Sequence, residues 1–192
     1  MVAMSIIRTV SENEATGDVA AIYAEDIEDL GYVPSHTKVM ALNPEAYRAF
    51  EALARSIARP LGMRRYELVT LAAAEAIGSD ACRFAHARKS LRYMDPGEVL
   101  AVVTDYRSAG LSDAEVAMMD FAARLSRDSS AMTDADSQRL RDVGFSDREI
   151  VDIALAAGMR NFFSRTLHSL AVDVDVPPGL TDDLLQALGP HR

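Results

Sequence analysis

The chain has a single cysteine, Cys82, among its 192 residues, and it has no tryptophan. A single cysteine cannot form an intramolecular disulfide, and it also excludes metal sites of the Cys-x-x-Cys type. The four histidines are scattered, and no group of carboxylates has ligand spacing, so we expect neither a metal nor another cofactor. Cys82 must therefore act alone or serve only as a packed side chain.

Basic residues are also in short supply, with 20 lysines and arginines against 29 aspartates and glutamates, which gives a net charge of −9. Nucleic acids and anionic membranes both require a basic surface, so we expect neither as a partner. No apolar stretch approaches the ~20 residues that span a bilayer, and the N-terminal apolar run is too short for a signal peptide. These features predict a cytoplasmic protein.

Only 6% of the residues are aromatic, whereas 49% are hydrophobic, and Ala, Leu, Arg, Asp and Glu dominate the composition. This composition favours helices over sheets. We predict one all-α domain over residues 1–192, with N-terminal helices in 1–60, a core in 61–175 and a C-terminal tail in 176–192.

Start and stop signals predict where the helices lie. Residues 112–115 and 146–149 are capping boxes within a repeated Gly-x-Ser-Asp-x-Glu phrase, which is consistent with duplicated helical hairpins. The segment 32–36 is expected to be extended, because a residue before proline disfavours the α region. The last long helix is predicted from Ser146 towards Ala171, with Gly158 as a candidate interruption. Other predicted helices end at Gly31, Gly78 and Gly144.

Cys82 lies in the first turn of a predicted helix that begins after Ser79, and His86 follows four residues later on the same face. The thiolate is the reactive form of cysteine. The positive end of a helix dipole and a nearby protonated histidine both lower the thiol pKa from its usual value of ~8.5. This pattern indicates a candidate nucleophile next to a candidate base.

The helices on either side of Gly78 are predicted to pack as an antiparallel pair. Counting outward from the turn places Glu67 about one turn, ~5–6 Å, beyond His86, and Glu75 level with Cys82. Either glutamate could hold the imidazole in one tautomer and stabilise its charged form while the imidazole activates the thiol. Spacing leaves both partners open, and it also leaves open a buried, inert Cys82. In that second case His86 is a core or surface histidine, and Glu67 pairs with Arg64 or Arg65 on the surface.

The run from Arg65 to His86 resembles the motif of the alkylhydroperoxidase D-like and carboxymuconolactone decarboxylase superfamily. That motif is Glu, eleven residues, Cys, two residues, Cys, three residues, His. Glu67, Cys82 and His86 match the glutamate, the second cysteine and the histidine, whereas Ser79 stands where the first cysteine belongs. Further segments are similar to the peroxidase-related branch of the superfamily, namely 14–23, 31–34, 120–125, 140–147 and 161–165.

The resemblance implies an all-helical alkylhydroperoxidase D-like bundle, a homo-oligomer and reduction of hydroperoxides. Under this resemblance Cys82 is the residue that attacks the peroxide, His86 and Glu67 relay protons, and Ser79 is a resolving position without its thiol. The histidine that some members carry before the second cysteine is replaced by Ala81. Since serine forms no disulfide, a Cys82 sulfenic acid needs an external thiol as its reductant.

Three functions follow, and the sequence leaves the substrate open. The first is reduction of a small hydroperoxide by Cys82 with an external thiol. The second is acid–base chemistry by Glu67 and His86, as in lactone decarboxylases, and the third is a non-catalytic oligomeric binding protein. Other polar residues are assigned away from the site: Tyr32 to the core, His36 and His168 to capping or surface positions, and Arg160, Asn161 and Arg165 to a subunit interface rather than an anion site.

Overall fold

The structure is a computed structural model, and it describes residues 6–189. Within this range every regular element is helical, so the predicted all-α class is confirmed. Most of the N-terminal run that was judged too short for a signal peptide lies outside the described residues. The α-helices in the described part are α1 Gly17–Leu30, α2 Ser35–Met40, α3 Pro44–Leu61, α4 Met63–Ile77, α5 Asp80–Ser90, α6 Pro96–Asp105, α7 Asp113–Asp128, α8 Asp134–Asp142, α9 Asp147–Ser169 and α10 Asp182–Ala187.

Local signals place most helix ends correctly. Both predicted capping boxes are formed, at the starts of α7 and α9. Helices α1 and α4 end where Gly31 and Gly78 adopt φ values of 86° and 73°, a region that favours glycine because other residues have a Cβ that clashes there. The tight turn at Gly78 leads directly into α5.

Two expectations about helix boundaries are wrong. Helix α2 begins at Ser35, immediately after the proline, where the chain was expected to stay extended. The Asp175 carboxylate accepts hydrogen bonds from the Ser35 backbone N–H at 2.6 Å and from its hydroxyl at 2.8 Å, which caps this helix from a distant part of the chain. Helix α9 runs without a break through Gly158 to Ser169, since it is packed along its length.

Helix α4 lies at the centre of the molecule, in contact with α3, α5, α7 and α9. Its middle section is buried on all sides, as expected for a helix with neighbours all round. A second, smaller apolar cluster joins α1 and α2 to α9 and includes Ile22, Tyr23, Tyr47, Phe163 and Cys82. Cys82 therefore lies where α5 meets this second cluster, away from the main core.

The outer face of α9 carries apolar side chains that are largely exposed within residues 6–189. Val151, Leu155 and Phe162 are 53%, 45% and 56% exposed. Such a stripe suits packing against another copy of the chain, and the homo-oligomer stays a prediction. Among the helices of residues 6–189, none is both long enough and apolar enough to cross a bilayer.

Candidate active site

Cys82 sits in the first turn of α5 and is only 2% exposed. Its Sγ accepts a hydrogen bond from Arg160 Nη1 at 3.3 Å and one from Ser164 Oγ at 3.2 Å, both from α9. Ser79 occupies the N-cap position of α5 and is fully buried, but its hydroxyl makes no capping bond. The cysteine is therefore surrounded by donors.

Arg160 was assigned to a subunit interface, and this is wrong, because the side chain is buried within the monomer, 4% exposed. Its guanidinium forms no ion pair with a carboxylate of the described residues. It lies over the Phe163 ring at 5.4 Å and donates to Cys82. Burial lowers the pKa of Arg160, but the neighbouring Cys82, Tyr66 and Glu67 raise it by more, so the buried guanidinium stays charged.

Burial and the neighbouring side chains act on the pKa of the Cys82 thiol in opposite directions. Burial raises the pKa of the Cys82 thiol, whereas the charge of Arg160 and the hydrogen bond from Ser164 lower it. The effect of these neighbours is larger than that of burial, so the pKa of Cys82 lies below its usual value. Cys82 is thus a thiolate over a wider pH range than an ordinary buried cysteine.

Helices α4 and α5 bring Glu67 and His86 together as an antiparallel pair. His86 Nδ1 donates to Glu67 Oε2 at 2.6 Å, and both residues are buried. Burial raises the pKa of Glu67, but the neighbouring His86 and Lys89 lower it by more, so the carboxylate is ionised. The short hydrogen bond fixes the imidazole with its proton on Nδ1, which leaves Nε2 as the acceptor nitrogen.

Glu67 stabilises the charged form of His86 as expected, but burial outweighs this effect. Burial and then the charge of Arg160 lower the pKa of His86 to about 4, although Glu67 acts in the opposite direction. At neutral pH the imidazole is therefore uncharged. An uncharged imidazole can accept a proton, so the suitable role of His86 is that of a base rather than an acid.

The second glutamate, Glu75, pairs with Arg83 at 2.5 Å and faces the outside, with 47% of its side chain exposed. Of the two glutamates that spacing left open, Glu67 is the one bonded to His86. The alternative of a surface pair for Glu67 is also wrong, since Arg64 and Arg65 pair with glutamates of other helices.

The proposed line from Cys82 through His86 to Glu67 contains one direct hydrogen bond. His86 bonds Glu67, while the bonds to Cys82 Sγ in the described structure come from Arg160 and Ser164. Sequence reasoning missed these two residues as partners of the thiol. Their i,i+4 spacing in α9 shows that they share a face, but only the packing of α9 against α5 brings that face to Cys82.

A cavity of about 450 Å³ opens onto this group, and both Cys82 and His86 line it. One wall is aromatic: Phe50 stacks on Phe163 with ring centroids 4.8 Å apart, and His36 meets Phe163 edge to face at 5.7 Å. The volume suits a small organic molecule. Across residues 6–189, no three metal-ligating side chains converge.

His36 also differs from its predicted position on the surface or at a helix cap. It is half-buried and lines the cavity, where burial and the charges of Lys89 and Arg160 lower its pKa to about 3. The His168 side chain is exposed, as expected. Asn161 and Arg165 both bond to Ser126 rather than to the site.

The all-helical fold places a glutamate and a histidine on an antiparallel helix pair, with a cysteine one turn before the histidine, which is the arrangement that the resemblance to the alkylhydroperoxidase D-like superfamily implies. No protein-family model matches the chain, and no curated protein matches it. Solved structures do match. One is the alkylhydroperoxidase AhpD core of an uncharacterized peroxidase-related protein from Ralstonia eutropha JMP134, with a TM-score of 0.80 and 22% identity, covering 98% of this chain and 99% of that one.

A second neighbour is an uncharacterized peroxidase-related protein from Silicibacter sp. TM1040, with a TM-score of 0.77 and 27% identity over 91% of this chain and 95% of that one. A third is the debrominase Bmp8, in complex with 2,3,4-tribromopyrrole, with a TM-score of 0.76 and 17% identity over 96% and 97% of the two chains. The first two confirm the resemblance to the peroxidase-related branch of the alkylhydroperoxidase D-like superfamily.

Proposed function

We propose that the protein reduces organic hydroperoxides through Cys82, with an external thiol as the reductant. The observation that supports this most is the buried contact of 3.3 Å between Arg160 Nη1 and Cys82 Sγ, since no carboxylate of the described residues forms an ion pair with this guanidinium. A thiolate held in this way at the wall of a cavity is suited to nucleophilic attack. The peroxidase-related neighbours agree with this class of chemistry.

In the first step the Cys82 thiolate attacks the terminal oxygen of the hydroperoxide. The O–O bond breaks, the sulfur becomes a sulfenic acid and keeps the hydroxyl group, and the substrate leaves as an alkoxide. The alkoxide takes a proton from solvent in the cavity and becomes an alcohol. Arg160 and Ser164 already donate to the sulfur, so both are placed to stabilise the charge that moves onto oxygen.

In the second step an external thiol enters the cavity and gives its proton to His86 Nε2. The resulting thiolate attacks the sulfenic sulfur, and the displaced hydroxide takes the proton from the imidazolium and leaves as water. The thiolate of a second external thiol then attacks the outer sulfur of the mixed disulfide. The S–S bond to Cys82 breaks, Cys82 leaves as its thiolate, and the two external thiols depart as a disulfide. Glu67, at 2.6 Å from Nδ1, stabilises the imidazolium while it exists.

The other two functions use less of what the site contains. Acid–base chemistry on a carboxylated lactone needs only Glu67 and His86, and it leaves the buried pair of Arg160 and Cys82 without a role. A non-catalytic binding protein leaves both pairs unused. Buried charged groups are costly to maintain, which favours the function that employs all four side chains.

The direct test of turnover is consumption of an alkyl hydroperoxide by the purified protein with a small thiol donor. We expect steady consumption that depends on the thiol, and we expect Cys82→Ser to abolish it, because an alcohol is not ionised at neutral pH. Consumption by Cys82→Ser at the wild-type rate would contradict the proposal.

A second prediction concerns Ser79, which is fully buried three residues before Cys82. Side chains at this spacing at a helix start lie about 5–6 Å apart, within reach of a disulfide after small adjustments. We expect peroxide to add the mass of one oxygen atom to the wild type, whereas Ser79→Cys loses two hydrogens as a disulfide forms. Intact-mass measurement distinguishes the two products.

Ser90→Cys is the matched control, because Ser90 is equally buried and its hydroxyl also has no partner within the described residues. It lies at the far end of α5, about 12 Å along the helix axis from Cys82. We expect this variant to gain oxygen without forming a disulfide. An identical product from both variants would show that Ser79 does not occupy the resolving position.

A further inference from the structure

The mouth of the cavity carries cations that the chemistry of Cys82 does not use. Arg55, Arg59 and Lys89 line the cavity, and none of them forms an ion pair with a carboxylate in the part of the chain that the structure describes. The carboxylates of the lining, by contrast, all have partners. These pairs are Asp29 with Arg92, Glu51 with Arg48, and Glu67 with His86.

Lys89 is the cation nearest to the reactive group in this set. It lies on the cavity face of α5, at i+3 from His86 and i+7 from Cys82, so the three side chains form one stripe. It is half-buried, and its charge lowers the pKa of Glu67, His86 and His36, which also line the cavity, and that of Asp26 on α1.

The separation between Lys89 and Cys82 sets the size of a ligand that could contact both. Seven residues span about 10 Å along a helix axis, and a helical lysine side chain leans back towards the N-terminus, which shortens the gap. One aromatic ring fills such a gap. The wall formed by Phe50 and Phe163 provides the surface on which a ring would stack.

The cations at the mouth of the cavity contrast with the negative charge of the rest of the protein. With a net charge of −9, the protein repels anions in general, so an anion binds only where cations lack internal partners. A partly buried ammonium without a carboxylate is costly on its own and gains most from a ligand that supplies one. The chemical features of the cavity are thus a thiolate at its base, an aromatic wall and a cationic mouth.

We propose that Lys89, assisted by Arg55 and Arg59, binds the carboxylate of an aromatic substrate whose reactive oxygen lies one ring away, at Cys82. The reactive end of this substrate rests on the proposed function, whereas the carboxylate subsite does not. A substrate of this class is an aryl-alkyl hydroperoxide that carries a carboxylate opposite the peroxide.

Binding tests the subsite without any redox chemistry. The probes are 4-isopropylbenzoate and its methyl ester, measured by isothermal titration calorimetry. We expect the acid to bind more tightly than the ester, and Lys89→Met to weaken binding of the acid about tenfold, the scale of one charge-assisted hydrogen bond. Lys89→Arg keeps the charge and is expected to retain most of the affinity.

Lys38, the other lysine of the chain, provides the matched control, because it is partly exposed, pairs with Glu12 at 2.9 Å and does not line the cavity. We expect Lys38→Met to bind the acid as the wild type does. Equal affinity for acid and ester in the wild type, or equal weakening by Lys38→Met and Lys89→Met, would overturn the subsite.

Kinetics then test the connection to Cys82. The substrates are cumene hydroperoxide with a para carboxylate and the methyl ester of the same compound, and the readout is the ratio of their rates of Cys82 oxidation. We expect the ratio to favour the acid in the wild type and to fall to about one in Lys89→Met. Lys89-dependent binding without oxidation of Cys82 by either compound would leave the subsite standing and refute the proposed function. A ratio of about one in the wild type would overturn the placement of the carboxylate.

Discussion

Arg160→Met is expected to slow alkylation of Cys82 by iodoacetamide at neutral pH by at least about tenfold, the effect of one pKa unit. In the wild type the pKa of Cys82 is lowered, so the thiolate persists as pH falls and is lost only below the usual thiol range. Without the guanidinium, burial dominates and raises the pKa above its usual value of ~8.5. The midpoint of the alkylation rate against pH should therefore move upward.

Arg165→Met is the control for this experiment, because Arg165 lies on the same helix and bonds to Ser126 and Asn161 instead of to the thiol. Its pH profile should match that of the wild type. Arg160→Lys keeps a positive charge and should give an intermediate midpoint. If Arg160→Met folds and reacts with the wild-type profile, the guanidinium does not hold Cys82 as a thiolate, and the proposed activation is wrong.

Glu67→Gln is expected to slow the reduction of the Cys82 sulfenic acid by an external thiol about 100-fold, the scale of general-base catalysis. The amide oxygen can still accept the bond from His86 Nδ1, so the geometry is largely kept. The negative charge is lost, however, and Glu67 is the group that raises the pKa of His86 against burial. The imidazole becomes a weaker base, and its charged form loses its partner. Rapid mixing of pre-oxidised protein with thiol measures this step.

Glu75→Gln separates this effect from a general loss of acidic charge. Glu75 is on the same helix, but it pairs with Arg83 and has 47% of its side chain exposed. We expect little change in the reduction rate, because Glu75 does not line the cavity and the buried Arg83 keeps its second ion pair, with Asp80 at 2.9 Å. Equal slowing in both variants, or no slowing in Glu67→Gln, would show that His86 does not act as the base.

The approach of a glutamate of α4 to His86 could be predicted because it depends on local geometry. Only Gly78 and Ser79 separate two helices that then run antiparallel, and counting residues from the turn places Glu67 and Glu75 opposite α5, although it leaves open which of them meets His86. The capping boxes at the starts of α7 and α9 are local in the same sense, since both partners lie within four residues. Such features are fixed by the sequence near them.

The group that contacts the thiol could not be predicted in this way. Arg160 and Ser164 are 78 and 82 residues from Cys82 along the chain. Helix α9 also reverses the usual relation of polarity to burial, because Arg160 is 4% exposed and Phe162 is 56% exposed. Reasoning from polarity placed the arginine outside. The guanidinium is buried where it donates to Cys82 Sγ, and that partner is buried as well.

We propose above that Cys82 is a thiolate that reacts with peroxide and is restored by an external thiol. The most direct measurement is the intact mass of the protein after brief treatment with an alkyl hydroperoxide, with and without a small thiol. Without thiol we expect Cys82 to gain one oxygen atom. With thiol we expect a mixed disulfide, which is then reduced to the free protein. An unchanged mass in folded protein, with Cys82 also resistant to alkylation, would contradict it.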